Sequence, residues 1–214
     1  MVAIPLELRL RRRAHKEIAA AQDLAVREVY RVFNDAVFHG GTAIWRCYGS
    51  NRFSEDLDFY LPRDPGRLDA LFGSLVSAGF SVTKRKVTDN SLYSGLELGG
   101  ISVRLEALFR KASGSLADYE TADGNIITVY SLTPEELIAE KTSAYLGRRK
   151  IKDLYDVFFL LRYVKERAAV LHALKKLVKE FEGPLDEPDL KALIVEGPVP
   201  PSAKMLEYIS RWVG

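Results

Sequence analysis

Between Ala14 and about Val37 the apolar residues Ile18, Ala21, Leu24, Ala25, Val29, Val32, Phe33 and Val37 recur at helical spacing and predict one long amphipathic helix. The segment HGGTAIWRCYG reads as a turn feeding a short helix that stops at Gly49. After a loop, DLDFYL alternates polar and apolar positions, the mark of a strand. Helical spacing returns at 67–79. Three strand-like stretches follow, FSVTKRKV, LYSGLELG and ISVRLEALF, with Gly99-Gly100 as a hairpin signal between the last two. NIITVYSL is a further short strand. At Thr133-Pro134-Glu135-Glu136 the character changes to a helix start, with a threonine N-cap, proline at the first helical position and acids in the first turn. Helix is expected from there to about Glu180, with breaks near Gly147 and near residue 166. The loop EGPVPPS then leads to a last helix, KMLEYISRW. The pattern predicts an α/β domain over 1–131 followed by an α-helical domain over 132–214.

Composition narrows the chemistry. The 214 residues are 47% hydrophobic and 28% charged, ordinary for a globular chain and incompatible with collagen-like or fully disordered classes. Cys47 is the only cysteine, so no intrachain disulfide can form and a cysteine-built metal centre is excluded. A reducing cytoplasmic setting is expected. The N-terminal MVAIPLELRLRRR lacks the apolar core and cleavage site of a signal peptide, and no apolar run is long enough to span a bilayer, so no membrane association is expected. His15, His39 and His172 are scattered, which argues against a histidine-built metal site. The net charge of +2 hides an uneven distribution: residues 1–16 carry +4 and residues 141–152 carry +5, leaving −7 for the rest. Such basic segments on an acidic background can hold polyanions locally.

The acidic strand is the most informative feature. Asp56, Asp58 and Tyr60 point to one face, and Leu57, Phe59 and Leu61 to the other. Two carboxylates on one face repel each other unless a cation sits between them. Magnesium takes a few carboxylate oxygens together with water and substrate phosphates, so the pair suits a Mg–nucleotide site. Upstream, Gly40-Gly41 permits close backbone approach, and the helix that follows offers free N–H groups to a phosphate. Glu106 is the best candidate for a third carboxylate, because it shares a face with Ser102 and Arg104, and a neighbouring strand would bring it beside Asp56 and Asp58. Two metal ions held this way could clamp the attacking and leaving oxygens. Each part has a plainer explanation: a chance DxD, an ordinary Gly-Gly turn, a surface glutamate paired with Arg104. Elsewhere, Tyr60 reads equally as a base-stacking or a structural residue, Cys47 as a small core hydrophobe, and His39 as a turn residue. RLRRR reads as a solvated helix face, and Lys152 with Asp156 as a surface ion pair.

Taken together, GGTAIWRCYGSNRFSEDLDF resembles the glycine and DxD signature of the DNA polymerase β-like nucleotidyltransferase superfamily. More narrowly, it resembles the AbiEii-type nucleotidyltransferase toxins of type IV toxin–antitoxin systems. EKTSAYLGRRKIKDLYDVFFLL is similar to a second stretch of that family, so the likeness spans roughly residues 36 to 162. The resemblance implies an α+β fold, with a mixed sheet flanked by helices, a helical C-terminal domain and an active site in the cleft. It implies transfer of a nucleoside monophosphate from an NTP, with one or two Mg²⁺ ions held by Asp56, Asp58 and Glu106. Glu106 would also be the candidate base on the acceptor hydroxyl. Gly40, Gly41 and Thr42 would cradle the triphosphate, with Arg52 and Ser54 near the phosphates. Lys141 would contact the nucleotide, and Asp153 would complete the pocket. The implied acceptor is RNA, in particular a tRNA 3′ end, and the implied partner is an antitoxin. The alternatives are transfer to a small molecule or a protein hydroxyl, and a non-catalytic member that binds RNA or a partner.

Overall fold

The computed structural model describes residues 4–214; the first three residues of the MVAIPLELRLRRR segment lie outside the described residues. These fall into two compact units: one runs up to Cys47 and resumes over Phe53–Ser131, and the other joins Tyr48–Arg52 to Leu132–Gly214. The short stretch belongs with the second unit because Arg52 forms a β-bridge with Ile194 and the Asn51 carbonyl accepts from the Val195 amide at 2.9 Å.

In chain order the first unit comprises α1 (Leu6–Arg9), α2 (Arg13–Val32), β1 (Val37–His39), α3 (Gly40–Tyr48), β2 (Asp56–Leu61), α4 (Pro65–Ser77), β3 (Ser81–Val87), β4 (Ser91–Leu98), β5 (Ile101–Phe109), β6 (Ser115–Glu120) and β7 (Ile126–Ser131). The long helix ends earlier than its spacing predicts. Val37 continues the apolar periodicity, but a turn at Asn34-Asp35 breaks the chain, and Val37 opens a strand instead. β6 goes unread in the sequence, although Asp123-Gly124 carries the turn chemistry that joins it to β7, with Gly124 at φ +85°.

The sheet has seven strands in the order β3-β4-β5-β2-β1-β7-β6 and is mixed: β2 runs parallel to β5 and β1 parallel to β7, while the other neighbours are antiparallel. One face carries Leu57, Phe59, Leu61, Leu92, Leu96, Val103, Leu105 and Ala107, packed with the apolar stripe of α2 and with Leu68, Leu71, Phe72 and Leu75 of α4. Burial of this face drives the alternation seen in sequence and turns Asp56, Asp58 and Tyr60 to the opposite side. Cys47 packs against this core, and burial pushes its thiol up to about 12.

The ladder between β1 and β7 is brief, registered at Phe38 and Ser131, and the Ser131 hydroxyl donates to the Phe38 carbonyl at 2.9 Å. A buried polar network ties the β6–β7 hairpin to α2. Asp23 pairs with Arg46, accepts from the Tyr119 hydroxyl at 2.9 Å, and accepts from the Ala122 amide at 2.6 Å.

The second unit contains α5 (Pro134–Arg148), α6 (Ile151–Leu160), α7 (Arg167–Lys179), α8 (Leu190–Leu193) and α9 (Ser202–Val213). The predicted start of α5 is a full capping box: Thr133 accepts from the Glu136 amide and the Glu136 carboxylate from the Thr133 amide. α5 runs through Gly147 and ends only at Arg149, which takes a left-handed conformation at φ 51°. Among the described residues no helix is long and apolar enough to cross a membrane.

Candidate active site

β2 presents Asp56 and Asp58 on the sheet face opposite the core, and β5, running parallel beside it, sets Arg104 against Asp56 and Glu106 against Asp58. On the other flank β1 sets His39 against Asp58. Three strands distant in sequence thus bring the glycine segment, the DxD pair and Glu106 into adjoining positions. Asp58 and Glu106 line one hollow of about 350 Å³, together with His39, Ser91 and Tyr93. Burial, and then the charges of Asp58 and Asp56, hold the Glu106 carboxyl above its ordinary range, against the opposing pull of Arg104.

Gly40 follows His39 directly and opens α3 with φ +75°, a conformation side chains rarely adopt. A Cβ at this position would run into the Asp58 carboxylate, so glycine is what lets the start of α3 lie against the acid. Gly41 and Thr42 are buried. The Thr42 hydroxyl is used within the fold, donating to the Asp56 carbonyl and fastening α3 to β2. Ser54 lies just before β2, where its carbonyl, with that of Glu55, accepts from Gln22 Nε2 at 2.9 Å.

Arg104 makes an interaction that its sequence position does not reveal. Its guanidinium grips Asp56 through two hydrogen bonds of 2.6 and 2.8 Å, which sets aside the plainer reading of Glu106 as simply the partner of Arg104. Among the described residues no three His, Cys, Asp or Glu side chains converge as a metal cluster. The donor set still suits Mg²⁺: two facing carboxylates, Asp58 and Glu106, beside a helix start that can receive phosphate oxygens. Asp56 would join them on release from Arg104. His39 is a strand residue rather than a turn residue, and its ring stacks on Tyr60 with centroids 3.9 Å apart and planes 8° from parallel. Arg110 lies over the same Tyr60 ring at 4.0 Å.

In the second unit the basic segment is not without acidic partners. Lys141 reaches Asp156 at 2.9 Å and Asp153 at 3.4 Å, and Arg148 grips Asp153 through bonds of 2.7 and 2.8 Å. Arg149 pairs with Glu182. Arg52, expected near phosphates, is buried with its guanidinium bound to Asp156 through two bonds of 2.8 Å. Asp156 is fully buried and is no surface partner of Lys152. Burial alone would raise the Asp156 carboxyl, but the Arg52 guanidinium and the Lys141 ammonium outweigh it and hold the group below its ordinary value. Burial lowers Lys152, and the cations Arg52, Arg148 and Lys141 lower it further.

Residues 25–200, most of the chain, match the family described as nucleotidyl transferase AbiEii toxin, type IV TA system. Among solved structures the chain is similar to the nucleotidyltransferase toxin MenT4 from Mycobacterium tuberculosis H37Rv, at 20% identity and a TM-score of 0.61 over 94% of this chain and 87% of that one. It is also similar to JHP933 from Helicobacter pylori, at 20% identity and a TM-score of 0.62 over 95% and 91% of the respective chains. These likenesses concern the fold. No curated protein matches the chain. With the family's sequence pattern met over that span, the chain belongs to the AbiEii nucleotidyltransferase toxins of type IV toxin–antitoxin systems and is a nucleotidyltransferase.

Proposed function

We propose that this enzyme moves a nucleoside monophosphate from an NTP to the 3′ end of an RNA, with tRNA as the acceptor class, in the presence of Mg²⁺. The observation that carries the reading is the registration of Asp58 against Glu106 across parallel strands, next to a glycine that gives the start of α3 access to the same acid. Asp58, Glu106 and Asp56 would hold the cation, which when bound neutralises phosphate charge. The N–H groups at the start of α3, at Gly40 and Gly41, hold the triphosphate and favour its negative charge. Glu106, as the carboxylate on the flank away from α3, takes the proton of the acceptor hydroxyl as that oxygen bonds to the α-phosphorus. The bond between the α-phosphorus and the bridging oxygen breaks, and pyrophosphate leaves with its electron pair. Positioning and electrostatics do most of the work, as in other phosphoryl transfers.

In the second unit, Lys141, Arg52 and Asp153 serve a buried ionic framework around Asp156, and Arg148 anchors Asp153. The single cysteine and the family's toxin–antitoxin setting support action in the cytoplasm, with an antitoxin as counterpart.

The test is incubation with each α-labelled NTP, Mg²⁺ and total RNA, beside an Asp56→Asn/Asp58→Asn double variant. Label should enter RNA and fall at least about a thousandfold in the variant. Label on protein or small molecules with none on RNA overturns the acceptor. Unchanged Mg²⁺-dependent NTP binding in the variant overturns the site.

A further inference from the structure

The sheet does not end at the carboxylates. Beyond β5 the same face continues over β4 to β3, the free edge of the sheet, and its register is explicit: Asp58 lies against Glu106, Glu106 against Tyr93, and Tyr93 against Lys86. One register step along, Asp56 lies against Arg104, Arg104 against Gly95, and Gly95 against Lys84. The core helices pack on the other face, where Val82 and Val87 of β3 register against Leu96 and Leu92. Lys84 and Lys86 are exposed, and Tyr93 and Gly95 are half-buried. The Lys84 ammonium lies 4.6 Å from the centre of the Tyr93 ring. Glu97 occupies the far end of this face, two residues along β4 from Gly95. With strands about 4.8 Å apart, the row from Asp58 to Lys86 spans about 14 Å.

This inference rests on the proposed transfer to RNA, and it says where the acceptor lies. An in-line displacement puts the attacking and leaving oxygens on opposite sides of the phosphorus. The start of α3, which receives the triphosphate, follows β1 on one flank of β2. The acceptor hydroxyl then approaches from the other flank, over Glu106. The surface there is the strip of β5, β4 and β3: an aromatic ring next to the acid, two lysines at the edge, and between Lys84 and Arg104 a glycine, Gly95, whose lack of a Cβ makes room for the Thr83 hydroxyl. A stacking platform with flanking cations is the chemistry that recognises single-stranded nucleic acid. We infer that this exposed sheet face, through Tyr93, Lys84 and Lys86, binds the unpaired 3′ end of the RNA acceptor, with a base against Tyr93 and backbone phosphates at the two lysines.

The test compares the full-length enzyme with Lys84→Ala/Lys86→Ala, Tyr93→Ala and Tyr93→Phe. A further variant, Lys175→Ala/Lys179→Ala, removes the same charge from exposed positions of α7. The probes are a short single-stranded RNA and a blunt-ended RNA duplex, with α-labelled NTP incorporation and RNA binding as readouts. Tyr93→Ala should raise the KM for single-stranded RNA by about 5- to 150-fold, and Tyr93→Phe should restore most of it. The double lysine variant should weaken binding and flatten its dependence on salt by about 1.4 in the log–log slope, about 0.7 for each phosphate that no longer meets a lysine. The KM for NTP should hold in each, and the α7 variant should bind RNA as the wild type does. Wild-type RNA labelling with unchanged RNA KM and salt slope in the Lys84/Lys86 and Tyr93 variants overturns the inference while leaving the transfer reaction intact. Equal losses in the α7 variant, or duplex RNA bound as well as single strands, also overturn it. Absence of RNA labelling by the wild type is a failure of the underlying reading instead.

Discussion

Replacing Arg52 separates two roles that its sequence position allows, a contact to substrate phosphates and a support for the helical unit. The guanidinium is buried and makes two 2.8 Å bonds to Asp156, itself wholly removed from solvent. Breaking one side of a buried ion pair costs about 3–5 kcal/mol, because the other charge is left uncompensated. Here Lys141 remains 2.9 Å from Asp156, so Arg52→Ala should fall at the lower end, about 3 kcal/mol. For a chain of this size that corresponds to a drop in Tm of about 6–12 °C. Arg52→Lys should lie between, because an ammonium keeps the charge but cannot reproduce the two-pronged grip. The double replacement Arg52→Met/Asp156→Leu should recover much of the loss, as apolar substitutes for buried ion pairs do. The assay is thermal unfolding beside steady-state kinetics, with the KM for NTP expected to change less than about twofold. A Tm within about 2 °C of wild type together with a KM for NTP raised tenfold or more would falsify the structural role and return Arg52 to the phosphates.

Three further outcomes follow from the geometry. Gly40→Ala places a Cβ against the Asp58 carboxylate at φ +75°, so it should cost about 1–3 kcal/mol of stability and most of the turnover; wild-type turnover in this variant would refute the close approach. Arg104→Gln frees Asp56, and the Mg²⁺ needed for half-maximal activity at saturating NTP and RNA should fall about fivefold, the effect of ~1 kcal/mol for a unit charge near 4 Å in water. A higher Mg²⁺ requirement would show that Arg104 serves the substrates instead. Asp156 is held below its ordinary 3.8, so the unfolded chain binds the extra proton and this stabilisation is complete above pH 3.8 and lost as the pH falls further. The stability gap between wild type and Asp156→Asn, followed by denaturant titration, should therefore stay level from pH 7 to about 4 and shrink below it; a gap already closing between pH 7 and 5 contradicts the assignment.

What could be read from the sequence was set by local chemistry. Period-two alternation in DLDFYL and ISVRLEALF reveals which residues share a face, because burial of Leu57, Phe59, Val103 and Leu105 forces it. The Thr133–Glu136 box is visible because capping is a contact over three residues. Register is another matter. Nothing within β2 or β5 states that Arg104 falls against Asp56 and Glu106 against Asp58, since a crossover through α4, β3 and β4 intervenes. Asp156 looks like the local partner of Lys152 because its real partner, Arg52, lies 104 residues away. β1 disappears into the periodicity of α2 because three residues are too few to show a period of their own.

The joint between β1 and β7 has a consequence for local opening. Five strands, β3 to β1, form a continuous ladder that contains every carboxylate of the site, while β6 and β7 are attached through the Phe38–Ser131 register and the polar network around Asp23. Beyond that single register pair the hairpin is held by side-chain hydrogen bonds and by the buried Tyr119 and Val129, so it is expected to open as a cooperative segment of its own. In native-state hydrogen exchange its amides should open at a lower free energy than those of β2 and β5. The catalytic strands would stay closed while their neighbour breathes.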